Sequence, residues 1–444
     1  MKMNIEIREG EDNMYYFIGI KGAGMSALAV ILKQLGNTVS GSDVDKHFFT
    51  EEELIKNNIP MYVYDSGNID KLDKEVTIIK GASIKDDNVE LIQAKKLNLK
   101  ILEYHEMLGI LTENYKTICV AGCHGKTTTT NMLALALKNQ GVNYLIGDGT
   151  GSALIDNKYF ALESCEYKRH FLAYHPYYAI ITNIDLDHVD YYKDINDVID
   201  AFTTYANNAS YMVVANGDDE NVRKMKVNKN IVYFGLGEGN DVRATNIEYK
   251  PEGISFDINC YGHFDLPIYG EGQLLDAIAV ITLCYLERID YKEVCNNLKE
   301  FVGAKRRFTE RVVGNNIIID DYAHHPKEVE TTITAIHQKY PDKKVVIVFQ
   351  PHTFTRTKEF TDDLVNVFNK ADASYILDIH PARERQEDYP DVTSDNIINK
   401  LNNGYHINID EAAKLKDYDN TVFAFMSPND ISKLENDLID LLNK

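Results

Sequence analysis

The 444-residue chain is 44% hydrophobic and 26% charged, with 47 lysines and arginines against 68 aspartates and glutamates. This is the composition of a soluble globular protein with room for about three domains. A net charge of −21 excludes a broad electrostatic grip on nucleic acid or an anionic membrane, so an anionic ligand must be met by local cations and backbone N–H groups. The six cysteines (119, 123, 165, 260, 284 and 295) show neither metal-site spacing nor disulfide density, which predicts a reducing compartment. Met1–Asp12 is charged and lacks the apolar stretch of a signal peptide. The longest apolar run, near Leu274–Leu286, is interrupted by Asp276 and falls short of the ~20 residues of a membrane span. A cytoplasmic protein is expected.

In chain order, Tyr15–Ile20 reads as a strand, Lys21-Gly-Ala-Gly-Met-Ser26 as a glycine turn and Ala27–Leu35 as a helix closed by Gly36. Thr38–Asp43 is then a second strand ending in an acid. This is the opening βαβ of a doubly wound fold, with Asp43 placed to meet a ribose hydroxyl. The glycines run G-x-x-G-x-G rather than G-x-G-x-x-G, which argues against a dehydrogenase and leaves a nucleotide diphosphate on the turn. Val76–Ser83 is a later strand whose end faces the same crevice, and a first domain closes near Asn114.

The strongest signal is Gly122-Cys-His-Gly-Lys-Thr-Thr128 between the β-branched strand Thr117–Ala121 and a helix expected over Thr129–Lys138. Strand, glycine turn and helix start make a phosphate cradle, in which bare N–H groups and the helix dipole face the anion. Lys126 would reach the β- and γ-phosphates, and the Thr127 hydroxyl a Mg2+ ion. Downstream, Glu163-Ser-Cys-Glu166 and Asn183-Ile-Asp-Leu-Asp-His188 each follow an apolar strand. Polar groups at such strand ends suit a divalent cation bridging phosphates, with helix caps and solvated loops as the alternative. Lys193–Asn207 reads as a surface helix, Ile247–Pro267 as strands and Gly270–Arg288 as a buried helix, ending a second domain near Gly303. The remainder alternates strand and helix, which predicts another open parallel sheet. Its polar turns are Asp321-Tyr-Ala-His-His-Pro326, Gln350-Pro-His-Thr-Phe-Thr-Arg356 and Pro381-Ala-Arg-Glu-Arg385.

Five motifs in matching order resemble the Mur ligase family over essentially the whole length: Tyr16–Ser26, Ala121–Thr130, Thr182–His188, Asp320–Pro326 and Phe349–Arg356. The resemblance implies three α/β domains: a Rossmann-like domain over 1–114 for a UDP-substrate, a P-loop ATPase-like domain over 115–303 for ATP, and a doubly wound Rossmann-like domain over 304–444 for the amino acid. It implies a cytoplasmic ATP-dependent ligase of peptidoglycan synthesis, and so of cell-wall biogenesis, cell shape and cell division. Its substrates would be UDP-N-acetylmuramate and L-alanine, its cofactors ATP and Mg2+, and its oligomeric state a monomer or weak homodimer with no nucleic-acid or membrane partner. By resemblance Lys126, His324 and Arg356 are catalytic, and Gly122, Cys123, His124, Gly125, Lys126, Thr127, Thr128 and Gln273 bind ATP. Gly22, Gly24, Met25, Ser26, Ser42, Asp43 and Ser83 would bind the UDP-substrate, and Thr127, Glu163 and His188 the metal, with Glu166 as second choice. The chain departs from the family's G-x-H-N-x-x-N at Gly272, Gln273 and Asp276, and carries Cys165 and Lys168 where acids are common. Two other functions stay open: a recycling ligase that adds a preformed tripeptide to the same nucleotide, and a nucleotide-binding paralogue without turnover.

Overall fold

The computed structural model describes residues 13–189 and 191–443; the reading of Met1–Asp12 and the start of the first predicted domain lie outside them. The chain divides into two compact units: residues up to 187 with 194–243 and 276–298 in one, and 188–193, 244–275 and 299–444 in the other.

In the first unit, β1 (Met14–Ile18), β2 (Thr38–Asp43), β3 (Met61–Val63), β4 (Thr77–Lys80) and β5 (Lys100–Glu103) form a parallel sheet in the order β3-β2-β1-β4-β5. The order reverses beside β1, which pairs with β2 on one side and β4 on the other. That switch point is where an open α/β sheet leaves a crevice at its strand ends. The strands are buried runs such as Tyr16-Phe-Ile and Ile78-Ile79, the near-continuous apolar pattern of a parallel sheet. The first helix spans Ala23–Gln34, starting four residues before the expected Ala27 because Gly22 serves as its N-cap.

A second sheet in this unit is built on β6 (Lys116–Ala121), flanked by β9 (Tyr159–Glu163) and β10 (Tyr178–Ile181), with β7 (Val142–Leu145) and β8 (Gly151–Ser152) beyond β9. On the other side follow β11 (Met212–Asn216) and β12 (Asn230–Gly235), and Val242 and Arg243 of β13 (Val242–Lys250). All of β6 from Thr117 to Ala121 is buried. It is thus a central strand, as its β-branched run implies.

In the second unit the rest of β13 pairs antiparallel with β14 (Gly253–Ile258), and β14 with β15 (Gly262–Leu266). The strands expected over 247–267 are these. A third sheet runs β16-β17-β21-β18-β19-β20, comprising β16 (Thr309–Val313), β17 (Asn316–Asp321), β18 (Lys344–Phe349), β19 (Ala373–Ile376), β20 (Gly404–His406) and β21 (Thr421–Met426). It is parallel except for β16. Its two faces carry separate cores, one around Ile319, Val345, Ile347 and Phe349, the other around Ile318, Val346, Val348 and Phe425. Among the described residues no helix is long and apolar enough to cross a membrane.

Candidate active site

The phosphate loop is shaped by two glycines. Gly122 sits at φ 153°, where a Cβ would overlap the Thr182 hydroxyl, and Gly125 at φ 82°, where a Cβ would lie 2.5 Å from Asp276 Oδ1. Neither position accepts another residue without strain or collision. Gly125 is itself the N-cap of the following helix, which spans Lys126–Ala136. The helix therefore begins three residues before the expected Thr129, and Lys126 and Thr127 belong to its first turn. As a glycine, the N-cap brings no side chain of its own to that N-terminus, and exposed amides of this kind suit an anion.

The loop is clamped by the segment after β10. Asn183 accepts the His124 N–H at 2.9 Å and donates its amide to the His124 carbonyl at 2.9 Å, which also takes the Thr182 hydroxyl at 2.7 Å. The Cys123 thiol meets the Asp185 backbone at 3.1 Å, and Asp185 lies 3.5 Å from His124 Nε2. Burial pushes the Cys123 thiol well above its ordinary value, so it serves as a small packing group and not as a thiolate. Asn183 and Asp185, singled out in sequence as cation ligands or caps, hold the loop's shape.

Lys126 Nζ donates to the Gly122 and Cys123 carbonyls, at 2.5 and 3.1 Å, and pairs with Glu166 at 2.9 Å. Burial alone would pull its pKa down, but the Glu166 carboxylate, aided by Cys165, Cys123 and Glu163, overrides this and the net shift is upward. Lys126 is therefore a fixed cation. Glu166 is 1% exposed and acts as the counter-charge that holds the ammonium against the loop. Thr127 Oγ1 donates to Glu163 Oε1 at 3.1 Å, and Glu163 also accepts the Gly147 N–H at 2.7 Å. Hydroxyl and carboxylate oxygens side by side form the hard donor set that Mg2+ takes. Asp276 lies against the same helix and accepts the Thr129 hydroxyl at 2.8 Å. His188 belongs to the second unit, at φ 53°, and its carbonyl accepts the Tyr191 and Tyr192 N–H groups.

At the C-terminal end of β2, Asp43 accepts the Lys21 N–H at 2.8 Å and the Val44 N–H at 2.7 Å. It thereby ties the glycine turn to the end of β2. Ser42 is fully buried, with its hydroxyl on Glu90, which also accepts Tyr16 OH at 3.1 Å and the Asn68 amide at 2.8 Å. A Cβ on Gly24 would lie 2.5 Å from Tyr104 OH, so this glycine answers to helix packing. Gly22 caps the helix with no side chain, Met25 and Ser26 are buried in its first turn, and Ser83 is exposed after β4.

In the second unit the polar turns gather at the C-terminal ends of β17, β18 and β19. His324 Nδ1 lies 3.0 Å from the Tyr322 carbonyl and 3.2 Å from Glu328. A proton on Nδ1 satisfies both acceptors. The His324 ring meets His352 edge-on at 6.2 Å, and His352 stacks on His380 at 5.8 Å. His325 is buried and caps the helix Pro326–Lys339, a structural role for the second member of the pair. Asp321 accepts the Ala323, Phe308 and Thr332 donors, and burial pushes its carboxyl up to about 6. Arg306 joins Asp320 to the Ser427 and Asn429 carbonyls, which ties the turn after β21 to the end of β17. Arg356 is half-buried in the first turn of the helix Phe354–Phe368. Gln273 Oε1 accepts the Tyr269 N–H at 3.0 Å. Gly272 packs on Thr331, whose Cγ2 would lie 2.9 Å from an added Cβ, so a histidine at 272 would have to displace that side chain.

A phosphate loop with a charge-paired lysine, a threonine–glutamate oxygen pair and three α/β sheets defines an ATP-using α/β enzyme. Family models agree: the Mur ligase family catalytic domain matches residues 14–116, the Mur ligase middle domain 120–284 and the Mur ligase glutamate ligase domain 306–430. The chain belongs to the Mur ligase family of ATP-dependent ligases and has its three-domain α/β fold. Among solved structures it resembles the UDP-N-acetylmuramate-alanine ligase MurC of Thermotoga maritima, with 25% identity over 96% of this chain and 98% of that one and a TM-score of 0.79. The murein peptide ligase of Psychrobacter arcticus shares the fold at 21% identity, 97% and 99% coverage and a TM-score of 0.69. So does MurF of Thermotoga maritima, determined with ADP, at 18% identity, 91% and 95% coverage and a TM-score of 0.62.

Proposed function

We propose that this protein joins L-alanine to the lactyl carboxylate of UDP-N-acetylmuramate, with domains that divide near residues 114 and 303. A carboxylate does not react with an amine, so ATP first transfers its γ-phosphoryl group to that carboxylate. The amine attacks the resulting acyl phosphate, and the tetrahedral intermediate collapses with loss of phosphate. Lys126 stabilises the charge that develops on the transferred group. Thr127, Glu163 and His188 are the residues we assign to Mg2+, which would offset phosphate charge when bound. Arg356 holds the amino-acid carboxylate by its guanidinium fork. His324 orients the amine or accepts its proton at Nε2.

The observation that carries the reading is the Lys126–Glu166 and Thr127–Glu163 pairing on the phosphate loop. The choice of alanine is supported by the higher identity and TM-score with the Thermotoga maritima alanine ligase, 25% and 0.79, than with the Psychrobacter arcticus murein peptide ligase, 21% and 0.69, and by Gly19-Ile-Lys-Gly22 and Ile79-Lys-Gly-Ala82. Phosphate release with ATP and UDP-N-acetylmuramate tests it directly. L-Alanine is expected to give steady turnover and a preformed tripeptide none; tripeptide-only turnover would establish the recycling ligase, and none with any amine the silent paralogue.

A further inference from the structure

We propose that Glu384 is a positioning residue for Arg356, setting the affinity for the amino acid without touching it. This rests on the reading of Arg356 as the carboxylate-binding residue. The helix that carries Arg356 is N-capped by Thr353, whose backbone lies at φ 65° and ψ 146°, a region that non-glycine residues adopt only when their surroundings enforce it. The Thr353 N–H donates to the His380 carbonyl at 2.9 Å, and the His380 N–H to the Pro351 carbonyl at 2.8 Å. The turn before the helix is thus bound to the segment after β19.

The same segment supplies a second acceptor for the helix start, beside the Thr353 N-cap. Glu384 Oε2 accepts the N–H groups of Phe354 at 2.5 Å and Thr355 at 3.1 Å, and Oε1 accepts the Thr355 hydroxyl. Thr355 Oγ1 is also 3.0 Å from Tyr389 OH, and Tyr389 stacks on Phe354 at 5.8 Å. From Pro381 to Asp388 every residue is exposed except Glu384. Its carboxylate takes two of the amides that a helix start leaves without intrahelical partners, and the helix dipole favours its charge. Arg356 is the next residue in that turn. The Thr353 hydroxyl accepts the Arg356 N–H at 3.4 Å, so the Cα of Arg356 is set by that cap together with the Glu384 carboxylate on the two residues before it.

The test compares steady-state constants of Glu384→Ala, Glu384→Gln, Thr355→Val and Arg356→Ala. Glu384→Ala is expected to raise the KM for L-alanine about tenfold or more, while those for ATP and UDP-N-acetylmuramate stay within about twofold. Glu384→Gln keeps an oxygen for both amides and should recover most of the loss. Thr355→Val removes only the side-chain link and should cost about threefold in the same constant, which carries the test if Glu384→Ala does not fold. An alanine KM unchanged in Glu384→Ala and Thr355→Val, or three KM values rising together, would overturn the proposal. If Arg356→Ala alone raises the alanine KM, only the role of Glu384 falls; if Arg356→Ala also leaves it unchanged, the premise and the proposal fall together.

Discussion

Replacing Lys126 with alanine is expected to lower ligation by at least about a hundredfold, the loss of one cation aimed at developing charge and worth on the order of 3–4 kcal/mol. The structure adds a second consequence. Glu166 is buried against Lys126 at 2.9 Å, and removing one member of a buried pair leaves an uncompensated charge that costs up to about 3–5 kcal/mol of stability. The single variant should therefore melt lower as well as turn over more slowly. In a Glu166→Gln background, loss of Lys126 should cost much less stability and just as much turnover. Binding of UDP-N-acetylmuramate, measured by calorimetry, should persist in both. Turnover within tenfold of the parent would remove Lys126 from the chemistry.

Arg356→Ala should raise the KM for L-alanine by one to two powers of ten, the range expected for about 1.5–3 kcal/mol of charge-assisted hydrogen bonding. The constants for ATP and the UDP-sugar should hardly move. Arg356→Lys should recover little, since an ammonium cannot make the two parallel contacts of a guanidinium. An alanine KM that stays in place would make Arg356 a helix-surface residue.

Much of this was legible in the sequence because it is encoded locally. The phosphate loop is recognisable from residue types, since only glycine fits at 122 and 125 and only a lysine and a hydroxyl serve at 126 and 127. The buried strands are legible because Thr117–Ala121, Ile317–Ile319 and Lys344–Phe349 carry β-branched or apolar runs that parallel sheets require. Long-range partners were not. Asn183 and Asp185 follow the loop they clamp by some sixty residues, Asp276 follows Thr129 by 147, and Glu384 follows Phe354 by 30. Sequence spacing gives no sign of such pairings, because chain topology alone creates them. Local signals also misled where two roles share one residue type. The phosphate-loop helix starts at Lys126 and not at the expected Thr129, because the residue types at 126 and 127 serve a loop and a helix's first turn alike.

In the proposed reaction the carboxylate of UDP-N-acetylmuramate is activated as an acyl phosphate before the amine attacks. The most direct measurement uses UDP-N-acetylmuramate with both lactyl carboxylate oxygens labelled with oxygen-18, together with ATP and L-alanine, and reads the mass of the released phosphate. Activation leaves one labelled oxygen bridging carbon and phosphorus, and collapse of the tetrahedral intermediate carries it away. One labelled oxygen in each phosphate is the expected result. Unlabelled phosphate released in step with the amide product would contradict the account.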